Sequence, residues 1–195
     1  MLTAGEIAVQ IRRGEIAWPG ELRGDALLLR LGSPIQPLTA TAGQVVDLAN
    51  QDSIDAIYDQ PQCWDSFDLA PGCMALCAVG QPLRLGTSLA ACIGTLSHLA
   101  RVGLATHITS PWVMPGWDGH LTLELLNVGP AILRLRRGMP VARALVLRMS
   151  GAVREALPHP HYGEPGHLGS RYATEFADQM NDQAAALNGA AGTEA

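Results

Sequence analysis

Glu124 stands in Leu121-Thr122-Leu123-Glu124-Leu125-Leu126, a carboxylate with apolar residues on both sides in a run that reads as a β-strand. A carboxylate stripped of water by such neighbours is suited to accepting and returning a proton. The bland alternative is a half-exposed strand position whose other face is apolar. The residues alone leave both open. A second cluster, His159-Pro160-His161 with Glu164 and His167, contains metal-ligand types, but its prolines read more simply as an exposed loop. The four cysteines, Cys63, Cys73, Cys77 and Cys92, follow no zinc-knuckle spacing. Cys73 and Cys77 lie in an apolar run and are expected to pack in the core.

The elements that position these residues are short. Leu2–Gly14 has the pattern of a capped helix, with Thr3 and Glu6 spaced as a capping box. Ala26–Leu31 is an apolar run that reads as a buried strand closed by Gly32, Pro34 and Pro37. Residues 39–62 are polar and irregular, with Val45–Leu48 as a short strand. From Leu69 onward, brief apolar runs alternate with Gly/Pro turns: Cys73–Val79, Leu83–Leu85, Leu89–Ile93, Leu104–Thr109, His120–Leu126, Ile132–Leu135 and Val141–Leu147. Thr95–Val102 reads as one or two helical turns. Many short strands at such spacing argue for an all-β sandwich or barrel and leave little room for βαβ units. Residues 1–175 are expected to form one domain and 176–195, which lack apolar periodicity, a mobile tail.

The chain has 195 residues, a net charge of −5, 48% hydrophobic residues and 16% charged ones. No Lys/Arg cluster is longer than Arg136–Arg137, so a nucleic-acid polymer is not an expected partner, whereas one nucleotide needs only a few cations. No apolar run spans a membrane and the N-terminus lacks a signal-peptide pattern, so a cytoplasmic protein with reduced thiols is expected. A surface so poor in charge suits an oligomer.

Five stretches, in order and in spacing, resemble the dCTP deaminase family of the dCTP deaminase/dUTPase superfamily. Leu69, Pro71 and Gly72 match its L-x-P-G. Leu96-Ser97-His98-Leu99-Ala100-Arg101-Val102-Gly103-Leu104 matches the substrate motif R-S-S-x-A-R-x-G-L. His107 to Gly119 matches H-x-T-A-x-x-x-D-P-G-W-x-G. Leu123-Glu124-Leu125-Leu126-Asn127-Val128-Gly129 matches L-E-x-x-N-x-G, and Arg136-Arg137-Gly138-Met139 matches R-x-G-M. The likeness extends more weakly over residues 1–172.

The resemblance implies a mainly β, dUTPase-like distorted β-barrel (β-clip) with a short N-terminal helix and one short helix in the substrate motif. It also implies a homotrimer with active sites between subunits, and a pyrimidine deoxynucleotide as ligand. The activity it implies is zinc-independent hydrolytic deamination of a cytosine deoxynucleotide, dCTP to dUTP by default. The zinc-deaminase pattern, H-x-E with P-C-x-x-C, is absent from the sequence. By this likeness Glu124 activates the attacking water and shuttles its protons. Arg101 balances charge beside it, and Ser97 orients the water or reaches phosphate. Their plain alternatives are a surface helix cation for Arg101 and a helix cap for Ser97. Ile108, Thr109 and Ser110 fall where backbone groups read the pyrimidine edge. His98, Trp117 and Arg171 complete the substrate-binding set, with Trp117 equally a structural ring. No tightly bound cofactor is implied, only Mg²⁺ accompanying a triphosphate.

The chain also departs from the family pattern. Leu96 replaces the arginine that opens the substrate motif, and a leucine cannot fork onto phosphate. His98 replaces its second serine, Ser110 an alanine, and Leu28 an early strand aspartate. Met114 replaces the aspartate before Pro-Gly-Trp, which makes dUTP hydrolysis unexpected. The C-terminal phosphate lid G-K-Y-x-G-Q is matched by Gly166-His167-Leu168-Gly169-Ser170-Arg171, without the lysine, tyrosine and glutamine. These losses frame an alternative: a catalytically silent trimeric homologue that binds a nucleotide or regulates.

Overall fold

The chain opens on a helix, α1 (Ala4–Arg12), started as its sequence predicts. The Thr3 hydroxyl accepts the Glu6 N–H at 3.4 Å, and the Glu6 carboxylate accepts the Thr3 N–H at 2.8 Å. That second bond is the main reason the Glu6 carboxyl is held below the usual carboxylate range. Ile7 is buried on the inner face, and the Leu2 N–H donates to the Val146 carbonyl at 2.7 Å, tying the helix entry to a later strand.

The computed structural model describes residues 1–153 and 168–177. They divide into two compact units, one drawn from Met1–Leu38 and residues 60–153 and 168, the other from Thr39–Asp59 and residues 169–177.

The first unit is mainly β. After α1 come β1 (Ile16–Ala17), β2 (Leu27–Pro37), β3 (Ser66–Leu69), β4 (Met74–Val79), β5 (Leu83–Leu85) and β6 (Leu89–Thr95). The one-turn helix α2 (Ser97–Ala100) leads into β7 (Leu104–Ala105), β8 (Trp112–Val113), β9 (Asp118–Gly119), β10 (Thr122–Asn127), β11 (Leu133–Arg136) and β12 (Pro140–Arg148). Seven of these form one curled sheet in the order β7-β10-β4-β2-β12-β6-β8. Smaller sheets pair β1-β5-β9 and β11-β3. Leu27, Leu29, Leu31, Cys77, Val79, Leu123, Leu125, Ala144 and Val146 alternate along their strands onto one face and build the core.

β2 runs beyond the point at which Gly32 and Pro34 were expected to close it. It changes partner instead: Leu27–Arg30 pair with β12, and Leu31–Pro37 with β4, with a register shift between Leu31 and Ile35. Pro34 lies inside that shift, where its missing N–H costs no ladder bond. Gly32 is there because the backbones touch: a Cβ on it would lie 2.6 Å from the Gly80 Cα.

Other expectations are corrected. Leu104–Thr109 is paired as a strand only at Leu104 and Ala105, and the chain leaves the sheet after Thr106, whose carbonyl still accepts the Glu124 N–H. Cys77 packs in the core but Cys73 is exposed, because the turn at Pro71-Gly72 places it ahead of β4. Burial pushes the Cys77 thiol up to about 12. All four cysteines are free thiols.

In the second unit, Val45–Leu48 forms no strand, and Val45 is 87% exposed. Side chains claim the backbone there: Asp47 accepts the Ala49 N–H at 3.0 Å, and Ser53 accepts the Asp47 N–H at 2.9 Å. Asn50 then caps a short helix, α3 (Gln51–Asp55). Arg171 immediately precedes α4 (Tyr172–Glu175), and the Phe176 ring lies 5.0 Å from that of Tyr172. Most of the expected tail, together with Gly166, His167 and the cluster His159, His161 and Glu164, lies outside the described residues.

Candidate active site

Along β10 the burial alternates. Leu123 and Leu125 point into the core, while Thr122, Glu124 and Leu126 are half-buried on the opposite face. The leucines beside Glu124 in sequence are therefore behind it in space and do not strip it of water. What holds its carboxylate is a backbone donor. The Ile108 N–H donates to Glu124 Oε2 at 2.7 Å, a charge-assisted bond, and the Glu124 N–H donates to the Thr106 carbonyl at 3.2 Å.

Segment 106–110 is thus the partner of Glu124. Thr106 is fully buried, and the Thr95 hydroxyl grips it twice: it accepts the Thr106 N–H at 3.0 Å and lies 2.8 Å from the Thr106 hydroxyl. Beyond it, Ile108, Thr109 and Ser110 are exposed, with their chain leaving the sheet after the residue gripped by Thr95. His107 is half-buried, and its Nδ1 is enclosed without a hydrogen-bond partner among the described residues.

Ser97 opens α2 and Arg101 follows it, with the Arg101 N–H donating to the Ser97 carbonyl at 3.2 Å. Both side chains, and His98 between them, are exposed. Among the described residues no hydrogen bond joins Ser97 or Arg101 to Glu124. α2 lies against β7, which pairs with β10, so the turn and the Glu124 strand share one end of the sheet. Their connection is tight. Gly103, at φ +92°, approaches Gly129 so closely that a Cβ on Gly103 would lie 2.5 Å from the Gly129 Cα. The Val128 N–H donates to the Gly103 carbonyl at 2.8 Å. Asn127 secures the other side: its amide donates to the carbonyls of Leu69 and Ala131 at 2.9 and 2.7 Å and accepts the Gly129 N–H at 3.0 Å.

The family model described as dCTP deaminase-like matches residues 1–149. The chain belongs to the dCTP deaminase-like family. A protein of Nocardioides sp. named "dCTP deaminase, dUMP-forming" is 31% identical over 176 residues, covering 88% of this chain and 89% of that one. A protein of the same name from Mycobacterium avium is 29% identical over 171 residues, covering 88% and 84%. Among solved structures, the 2'-deoxycytidine 5'-triphosphate deaminase of Agrobacterium tumefaciens superposes with a TM-score of 0.57 at 19% identity. That match covers 74% of this chain and 47% of that one, so this chain spans about half its length. It shows the shared fold: the mainly β dUTPase-like architecture expected from the sequence is the one found.

The departures from the family pattern are scattered, and one of them, Leu28, is buried in β2. Met114 is 47% exposed in the loop before Pro115-Gly116, and Leu96 is half-buried at the entry to α2. The Trp117 ring nitrogen donates to the Gly119 carbonyl at 3.1 Å and its ring packs against the core, which gives it a structural duty in the chain. Arg171 belongs to the second unit. Thr95 and Thr106 were not legible as site residues. Each is an ordinary threonine in a short apolar run, and only the curl of the sheet joins them.

Proposed function

We propose that this chain is a hydrolytic, zinc-independent deaminase of a cytosine deoxynucleotide, with dCTP the first substrate to test and Glu124 as the carboxylate that activates water. The observation carrying this reading is the Glu124 carboxylate held on the Ile108 N–H, with the exposed backbone of Ile108, Thr109 and Ser110 beside it. A carboxylate fixed by one bond keeps its other oxygen for a water. It can take a proton from that water as it attacks C4 and pass protons on to the departing ammonia. The reaction balances as dCTP and water giving dUTP and ammonia.

Ser97 and Arg101 serve the same centre as orienting hydroxyl and balancing cation, with His98 and Trp117 as further substrate-binding groups. We place this centre between subunits of a homotrimer. Ser97 and Arg101 are exposed and unengaged with Glu124 in their own chain, and Ile108, Met114 and Trp112 leave apolar surface open around the site, Trp112 at 60% exposure. The protein is proposed to work in the cytoplasm, with Mg²⁺ arriving as part of the triphosphate substrate. No described helix is long and apolar enough to cross a membrane.

The names of the Nocardioides and Mycobacterium relatives extend the product to dUMP, which needs a second water and release of pyrophosphate. Met114 favours a product that stops at dUTP, because a thioether cannot activate that water. Ammonia and pyrophosphate release from dCTP, dCMP and deoxycytidine, with Glu124→Gln as control, tests both. Ammonia that disappears in the variant supports deamination, and equimolar pyrophosphate supports dUMP. No ammonia from any of the three overturns the reading.

A further inference from the structure

We propose that Thr95 and Thr106 are a pair of positioning residues, whose clasp sets the spacing between the Ser97 turn and the Glu124 carboxylate. The inference rests on the reading of Glu124 as the reacting group.

The two threonines come from opposite ends of the large sheet. Thr95 ends β6, which lies next to the terminal strand β8, and Thr106 follows β7, the terminal strand at the other end. The hydroxyl pair at 2.8 Å and the Thr106 N–H to Thr95 Oγ1 bond at 3.0 Å therefore close the curl of the sheet on itself. A hydroxyl offers one proton and two lone pairs, so Thr95 Oγ1 can serve both bonds at once. Thr106 is fully buried, and its N–H finds its partner in that side chain instead of a ladder carbonyl.

Each threonine is two residues from a part of the candidate centre. Beyond Thr95, the chain turns through Leu96, whose N–H donates to the Val141 carbonyl at 2.9 Å, into Ser97 and α2. Beyond Thr106, whose carbonyl accepts the Glu124 N–H, comes Ile108, whose N–H holds the Glu124 carboxylate. One clasp thus fixes both halves. Without the Thr95 hydroxyl, a buried N–H is left without a partner and segment 106–108 is free to shift away from Glu124.

The test compares Thr95→Val and Thr106→Val with Thr95→Ser and Thr106→Ser, which keep the hydroxyls. It reads kcat and KM for ammonia release from dCTP, and hydrogen exchange at the Ile108 amide. In Thr95→Val, kcat is expected to fall about 10- to 100-fold with KM little changed, as for a catalytic group displaced by a fraction of an ångström. Ile108 exchange should quicken about tenfold or more, the change expected when a local opening becomes easier. Serine should restore both. A Thr95→Val protein that melts earlier but keeps its kcat and its Ile108 protection overturns the proposal, as does a serine variant that fails to rescue. If the wild type deaminates no cytosine nucleotide, the functional reading falls separately. The exchange arm then decides the clasp, and unchanged Ile108 protection in Thr95→Val sinks it. Should Thr95→Val not fold, Thr106→Val carries the test, since it loses the hydroxyl pair and keeps the amide bond.

Discussion

The Ile108 N–H meets the Glu124 carboxylate at 2.7 Å, so among the described residues the backbone of an exposed loop holds the acid of the candidate centre. Glu124→Gln should fold with an unchanged melting temperature and lose about 10²- to 10⁴-fold in kcat, the scale of a lost general acid–base group. Ile108→Pro removes the donor and should lower kcat about tenfold or more, the order of one preorganised hydrogen bond. Ile108→Ala keeps the donor and should stay near wild type. Equal activity of the proline and alanine variants would show that the backbone bond does not matter to turnover. Steady-state ammonia release measures all three.

Gly103 and Gly14 both have positive φ, at +92° and +74°, but only Gly103 is also crowded by another backbone. Alanine at Gly14 meets nothing within 4 Å and pays only for its left-handed conformation, about 1–2 kcal/mol. Alanine at Gly103 must in addition push back Gly129, adding about 1–3 kcal/mol. Urea unfolding should therefore rank Gly103→Ala well below Gly14→Ala. Gly103→Ala should also lose activity in its folded fraction, because the displaced turn carries Arg101. Similar stabilities for the two variants would mean that the Gly103–Gly129 contact yields freely.

The buried Cys77 thiol, pushed up to about 12 mainly by desolvation, stays protonated in the folded chain where an unfolded thiol at about 8.5 would ionise. Its folded value lies above its unfolded value, so the stability it contributes is complete below about pH 8.5 and is lost as pH rises towards 12. This gives a slope of about −1.4 kcal/mol per pH unit from this group alone. Unfolding midpoints between about pH 9 and 10.5 should fall less steeply in Cys77→Ala than in the wild type. At pH 8 a thiol reagent should label the exposed Cys63 and Cys73 in the native protein and spare Cys77 until it unfolds.

Much of the fold was legible because its signals are local. The Thr3–Glu6 capping box needs only residues three apart, and it formed as read. Short apolar runs between Gly/Pro turns located β4, β5, β6, β10, β11 and β12 within a residue or two. The two-residue strands β1, β8 and β9 carry no period long enough to read. β3 does alternate, as Ser66-Phe67-Asp68-Leu69, and its opposing strand supplies the bidentate Arg134–Asp68 pair at 2.7 Å that completes the ribbon. Val45–Leu48 reads as a strand by composition and is not one, because a strand needs a partner and the Asp47 and Ser53 side chains bind its backbone instead.

The sequence by itself determined the class of fold, the family and the carboxylate worth testing, since alternation, turn residues and motif order are properties of neighbours along the chain. Tertiary structure alone decided which face of β10 Glu124 occupies relative to the core, that β2 continues through Pro34 by changing partners, that Cys77 is buried and Cys73 is not, and that Thr95 meets Thr106. These depend on how the sheet curls and which backbones touch. Hydrogen bonding and close packing act across space between residues whose separation along the chain carries no signal of their meeting.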